Sequence, residues 1–179
     1  MRTTADSTKV QLFIDAMGAR LKTASKIYLV GGSTAVLHGW RSSTIDIDIL
    51  AEPDSDGFFE AVAELKESLD VNVELVSPSH FLPELPGWRE RSDWIASVGK
   101  THFYHYDYYS QVLSKMDRAH PRDIRDVEAF LSRGLVSHAR LCGLFSEIEH
   151  LLIRFPAVDA ASLRSKVLAW PDQQTRSTS

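Results

Sequence analysis

The sequence is poor in the features that would commit a chain to a membrane, a disulfide framework or a polyanion. No apolar run approaches the roughly 18 residues of a membrane span, and the N-terminus MRTTADSTKV has no apolar segment of signal-peptide kind. The expectation is a cytoplasmic protein with no membrane partner. One cysteine, Cys142, leaves no intramolecular disulfide and no thiolate metal cluster; the surrounding LCGLF reads as a buried helical stretch with a core thiol. Charge of one sign is missing as well. The net charge is −4 with no long run of either sign, which argues against a broad basic surface for nucleic acid. A local basic groove can still be assembled from a few residues. There is no internal repeat and no low-complexity linker.

What is present is an ordinary globular composition, 44% hydrophobic and 25% charged over 179 residues, enough for one compact domain with a real core. Val10, Phe13, Ile14 and Met17 have helical spacing in a segment running over 9–24. KIYLV reads as a buried strand that runs into Gly31-Gly32, and Ser33 can cap a short helix reaching about His38. TIDIDIL alternates with period 2. PDSDGFFEAVAELKESL starts with cap-type residues and carries Phe58, Phe59, Val62 and Leu65 at helical spacing, and VNVELV is a further strand. SPSHFLPELPGWRER, with three prolines and a glycine, reads as a loop. DWIASVG and THFYHYD form a hairpin around Gly99-Lys100. From Asp107 the pattern is helical: YYSQVLSKMDRA, RDIRDVEAFLSRG and SHARLCGLFSEIEHLLIRF, with a fourth helix over 159–169. The expected fold class is α/β (α+β), with a mixed sheet in an N-terminal core of residues 9–106 and a helical C-terminal part of 107–169. Residues 1–8 and 170–179 read as disordered.

The stretch YLVGGSTAVLHGWRSSTIDIDIL carries the chemistry. Aspartate is depleted in strands, yet Asp46 and Asp48 share one strand face while Ile45, Ile47 and Ile49 share the other. Side chains two residues apart on a strand lie about 6.5 Å apart, and at an effective dielectric of about 20 two unit charges there repel by roughly 2.5 kcal/mol. A solvated strand face, screened by water and salt, is one account. The other is a cation. A strand ending in Gly-Gly-Ser before a helix offers backbone N–H groups and a helix N-terminus to phosphate. Mg²⁺ (or Mn²⁺) prefers oxygen ligands, one or two carboxylates plus substrate phosphates and water.

In this order, turn, short helix and D-x-D strand resemble the signature of the polymerase-β-like nucleotidyltransferases. More narrowly, the chain is similar to small bacterial proteins of the DUF6036 type, related to the nucleotidyltransferase toxins of the abortive-infection and MenT groups. The resemblance spans about residues 25–135. It implies a nucleotidyltransferase fold in which Gly31, Gly32 and Ser33 bind a nucleoside triphosphate and Asp46 and Asp48 hold the metal. Glu74 is its candidate third carboxylate and base; a surface glutamate on an exposed strand is the alternative. It further implies nucleotide-binding roles for Lys115 in QVLSKMDRA and for Asp123 and Asp126 in RDIRD. Arg41, just before the metal strand, would steady a phosphate or the aspartate pair. Lys115, Arg118, Arg122 and Arg125 can supply cations to a triphosphate, or can form a solvated helix face of local ion pairs. His38, His102 and His105 read as structural or stacking residues.

The expected activity is metal-assisted transfer of a nucleoside monophosphate to an acceptor hydroxyl, with Lys115 neutralising phosphate charge. The toxin resemblance implies RNA, a tRNA end, as acceptor and a toxin–antitoxin context with a protein partner; a protein hydroxyl and a small molecule stay open. The competing expectation is a non-catalytic nucleotide- or partner-binding module, antitoxin-like, that has kept the fold.

Overall fold

The computed structural model describes residues 3–53 and 55–170. These divide into two compact units, one comprising residues up to Ser77 together with Ser92–Tyr106, the other Pro78–Arg91 together with the chain from Asp107.

The first unit begins earlier than its polar N-terminus implies. Ala5 is fully buried and bridges to Thr44, and Asp6 caps α1 (Ser7–Arg20) by accepting from the Lys9 amide at 2.9 Å. Residues 3–8, expected to be disordered, are therefore tied down by a long-range backbone bridge and a cap. Residues 1, 2 and 171–179 lie outside the described residues. The strands are β1 (Ser25–Val30), β2 (Asp46–Glu52), β3 (Asn72–Leu75), β4 (Asp93–Val98) and β5 (Thr101–His105), in the order β3-β2-β1-β5-β4. β1 runs antiparallel to β2 and parallel to β5, β2 parallel to β3, and β4 antiparallel to β5. The mixed sheet and the hairpin are as the alternation predicts, and Gly99 turns the hairpin with φ 60°.

Helices α2 (Gly32–Leu37) and α3 (Phe58–Ser68) complete the unit with α1. Ile27, Leu29, Ile47, Ile49, Val73 and Phe103 of the sheet are buried in one cluster with Phe13, Ile14 and Met17 of α1 and Phe58 and Leu65 of α3. Each such side chain contributes about 1.5–3 kcal/mol by leaving water. Pleating fixes the consequence: with Ile47 and Ile49 committed to this core, Asp46 and Asp48 must face away from it. Ile45 precedes the strand and is 58% exposed.

The second unit is helical. The segment that reads as a proline-rich loop holds a 3-10 turn at Pro78–His80 and a single helical turn, α4 (Trp88–Arg91). There follow α5 (Tyr108–Arg118), α6 (Pro121–Ser132), α7 (His138–Ile148), a 3-10 stretch Glu149–Arg154 and α8 (Ala160–Ala169). Arg91 grips the fully buried Asp107 with Nε to Oδ1 at 2.9 Å and Nη2 to Oδ2 at 3.0 Å. Asp107 in turn caps α5 through the Ser110 amide and hydroxyl. Cys142 of α7, expected in the core, is only half-buried; its Sγ lies 3.4 Å from His138 Nε2, and burial raises its pKa. No helix among the described residues is long and apolar enough to cross a membrane.

Candidate functional site

The turn after β1 depends on Gly31, whose φ of 62° and ψ of −122° an L side chain does not adopt readily. Its carbonyl accepts from the Ala35 amide at 3.3 Å, so the helix starts at Gly32, one residue before the expected cap. Ser33 therefore sits inside α2 and caps nothing: no side-chain hydrogen bond closes the N-terminus. Its hydroxyl is fully buried and meets no hydrogen-bond partner among the described residues. Gly32 is equally constrained. A Cβ there would overlap the Thr44 side chain and stand 3.4 Å from Arg41 Nη1, so Arg41 brings its guanidinium to the flank of the turn.

Register then joins turn and carboxylates. Val30 is paired with Asp48, and Asp48 Oδ2 would lie 3.0 Å from a Cβ on Gly31. On the other side of β2, Asp46 pairs with Asn72 and Asp48 with Glu74. Parallel neighbours lie about 4.8 Å apart, so all three carboxylates emerge on the face opposite the core. Asn72 Nδ2 donates to Asp46 Oδ1 at 2.6 Å and to Glu74 Oε1 at 3.2 Å. Asp46 and Asp48 are half-buried and Glu74 is exposed. Among the described residues no three acidic, histidine or cysteine side chains converge as a ready metal cage. Carboxylate oxygens beside a glycine turn nonetheless fit Mg²⁺, whose coordination is normally completed by substrate phosphates and water. The role of Asn72 was not read from the sequence; its signal was the alternation in VNVELV that puts it beside Glu74.

The loop after α2 carries aromatic rings. His38 stacks on Trp40 (5.2 Å between centroids, 17° between planes) and on His105 (4.6 Å, 30°). His105 is buried, and burial together with the neighbouring His38 drives its pKa down to about 3, so it is neutral at physiological pH. His102, on the other face of β5, hydrogen-bonds through Nδ1 to Ser97 Oγ at 2.7 Å, and Trp94 Nε1 donates to the same hydroxyl.

In the second unit, Lys115, Asp123 and Asp126 form a set of their own. Lys115 Nζ lies 2.5 Å from Asp126 Oδ2 and 3.5 Å from Asp123 Oδ1, and Arg118 Nη2 donates to Asp123 Oδ1 at 3.0 Å. All but Arg118 are buried. The spacing K-x₁₀-D is what lets α5 and α6, joined by a tight turn at Ala119 (φ 52°), face these groups inward. Lys115 already has two carboxylates within 3.5 Å, so any pull on a phosphate competes with them. Arg122 and Arg125 are exposed.

The sequence model of a family described as nucleotidyltransferase of unknown function (DUF6036) matches residues 9–176. No curated protein and no solved structure matches the chain.

Proposed function

The chain belongs to the DUF6036 family of nucleotidyltransferases, and from that premise we propose that it transfers a nucleoside monophosphate from a triphosphate to an acceptor hydroxyl with a divalent cation held by Asp46, Asp48 and Glu74. The observation that supports this most is the pairing of Val30 with Asp48, which sets Asp48 Oδ2 against Gly31. A turn suited to phosphate and a strand of carboxylates thereby end side by side.

In this reading Gly31 and Gly32 allow the phosphates to approach bare backbone N–H groups, and Arg41 adds a guanidinium from the flank of Gly32. Asp46 and Asp48 are the metal ligands; when bound, Mg²⁺ supplies charge neutralisation of the triphosphate and a lowered pKa for the acceptor hydroxyl. Glu74, exposed and 3.2 Å from the Asn72 amide, accepts the acceptor's proton as that oxygen attacks the α-phosphorus and pyrophosphate leaves. RNA is the acceptor to test first, a tRNA end foremost.

A second reading is a binding module that has kept the fold. On its side are the full burial of Ser33 and the two carboxylates already engaging Lys115. Incubation with Mg²⁺, each α-labelled nucleoside triphosphate and total RNA, beside an Asp46→Ala, Asp48→Ala control, separates the two. Label entering RNA with the wild type alone supports transfer. Nucleotide binding without turnover over a long incubation, with RNA, protein and small-molecule hydroxyls supplied in turn, refutes it and favours the module.

A further inference from the structure

We propose that the exposed face of α6 that carries Arg122 and Arg125, with Arg118 beside it at the α5–α6 turn, docks the phosphate backbone of single-stranded RNA. The choice of RNA rests on the transfer reading, which names it as acceptor; the surface itself is argued from charge.

The net charge of −4 is unevenly shared. The first unit has 8 basic and 13 acidic residues, a net −5, whereas the second has 12 and 11, a net +1. Ten of those twelve basic residues are arginines, the side chain whose planar fork pairs bidentately with phosphate. Within α6 the acids then leave the surface. Asp126, four residues after Arg122, is the partner that an exposed helical ion pair would use, but its carboxylate is 1% exposed and meets Lys115 instead. Asp123 is likewise buried, between Lys115 and Arg118. Arg122 and Arg125 are exposed and make no ion pair or side-chain hydrogen bond among the described residues, and exposed Glu128 engages neither of them.

Both arginines work against the helix that bears them. Arg122 lies in the first turn of α6, where the helix dipole disfavours a cation, and like charges three residues apart on a helix, about 5–6 Å between Cβ atoms, repel. A glutamate at either position would remove the repulsion, whereas an anionic partner turns it into attraction. Arg118 adds a third cation. It donates from Nη2 to Asp123 Oδ1 at 3.0 Å, which brings its guanidinium to the same first turn, and its side chain is 50% exposed. A guanidinium has five N–H donors, so one bond to Asp123 leaves others for a phosphate.

The test follows binding of a labelled oligouridylate to the full chain across a salt titration, in EDTA and without triphosphate, so that the carboxylates of β2 and β3 take no part through a cation. On a single strand each neutralised phosphate contributes about 0.7 to the fall of log K with log salt. Arg122→Gln with Arg125→Gln should therefore flatten the slope by about 1.4, which is about 25-fold weaker binding at 0.1 M salt and convergence with wild type at 1 M. Arg122→Lys with Arg125→Lys should keep the slope. Lys22→Gln with Lys100→Gln, which removes the same charge from exposed positions of the first unit, should leave it unchanged. A folded Arg122→Gln, Arg125→Gln chain with the wild-type slope overturns the surface, as does a lysine control that flattens it equally. So does a wild type whose RNA binding is absent or independent of salt, a result that needs no variant to fold. Polyglutamate bound as tightly as the RNA would make the partner an acidic protein, and oligodeoxyuridylate bound more tightly would make it DNA; either overturns the assignment. Label entering RNA while the arginines prove irrelevant strikes the surface and leaves the transfer reading, and salt-dependent RNA binding through α6 with no transfer to any acceptor does the reverse.

Discussion

The buried cluster of α5 and α6 yields a prediction whose size can be worked from its geometry. Asp126→Ala removes the carboxylate 2.5 Å from Lys115 Nζ and leaves an ammonium whose side chain is 4% exposed. Breaking a buried pair by deleting one partner costs about 3–5 kcal/mol, because the remaining charge stays desolvated. Asp123 remains at 3.5 Å but is shared with Arg118, so it offsets only part, and a cost of about 3 kcal/mol is expected. Asp123→Ala should cost about 1 kcal/mol, since half-exposed Arg118 can turn to water. Lys115→Met with Asp126→Leu removes both charges and should restore stability to within about 1–2 kcal/mol of wild type, or above it. Urea unfolding reads all three as midpoint shifts, provided m is unchanged. Asp126→Ala costing less than about 1 kcal/mol, or a double variant as costly as the two single changes summed, would refute the reasoning. The restored double variant also sorts the roles of Lys115: transfer activity that survives makes the lysine a structural group, and activity lost in a folded protein makes it one that acts on the nucleotide.

Asp46→Asn should abolish nucleotidyl transfer and leave the melting temperature unchanged or slightly higher, because it removes one of two neighbouring like charges on half-exposed positions while an amide oxygen can still accept from Asn72; retained turnover counts against the metal assignment. Gly31→Ala should cost about 1–3 kcal/mol and weaken triphosphate binding, through its left-handed φ and the crowding of Asp48 Oδ2. Gly39→Ala, with a similar φ of 80° but nothing within 4 Å of the added Cβ, should cost about 1 kcal/mol; equal losses at the two glycines would show that the space beside Asp48 is irrelevant. His105 has a folded pKa of about 3 against 6.5 for its ordinary value, so the unfolded chain binds the extra proton between these pH values. Stability should therefore fall as pH drops from about 6.5 toward 3, with a contribution of up to about 1.4 kcal/mol per pH unit from this group. His105→Gln should flatten that part of the profile in pH-dependent denaturation, and an unchanged slope would assign the effect elsewhere.

Strong local periodicity made the strands, the hairpin and most helices readable. Ile27, Leu29, Ile47 and Ile49 alternate because one face of the sheet is buried, and the same alternation exposes Asp46 and Asp48. Features fixed by distant partners were not readable. Nothing in MRTTADSTKV announces that Ala5 pairs with Thr44, thirty-nine residues away, and the polar composition instead imitates a disordered end. Prolines at 83 and 86 hide the single turn Trp88–Arg91, although Arg91 there makes the bidentate contact with Asp107. The expected cap at Ser33 failed by two positions, since the chain turns at Gly31, which takes the cap position itself.

The harder distinction was between two carboxylate pairs that look alike in one dimension, D-x-D at 46–48 and D-x-x-D at 123–126. Their surroundings separate them. In the second unit, Asp123 and Asp126 meet Lys115 and Arg118 at 2.5–3.5 Å, so two cations balance two anions and the cluster is near neutral. In the first, Asp46 and Glu74 share the neutral amide of Asn72. A hydrogen bond from an amide satisfies oxygen lone pairs without cancelling charge, so Asn72 leaves the charges of half-buried Asp46 and exposed Glu74 undiminished. A divalent cation has more to gain from carboxylates bonded by an amide than from an already neutralised pair. The chemistry of the partners, amide against ammonium and guanidinium, therefore favours the proposed cation site at Asp46, Asp48 and Glu74 over Asp123 and Asp126, whose partners hold α5 against α6.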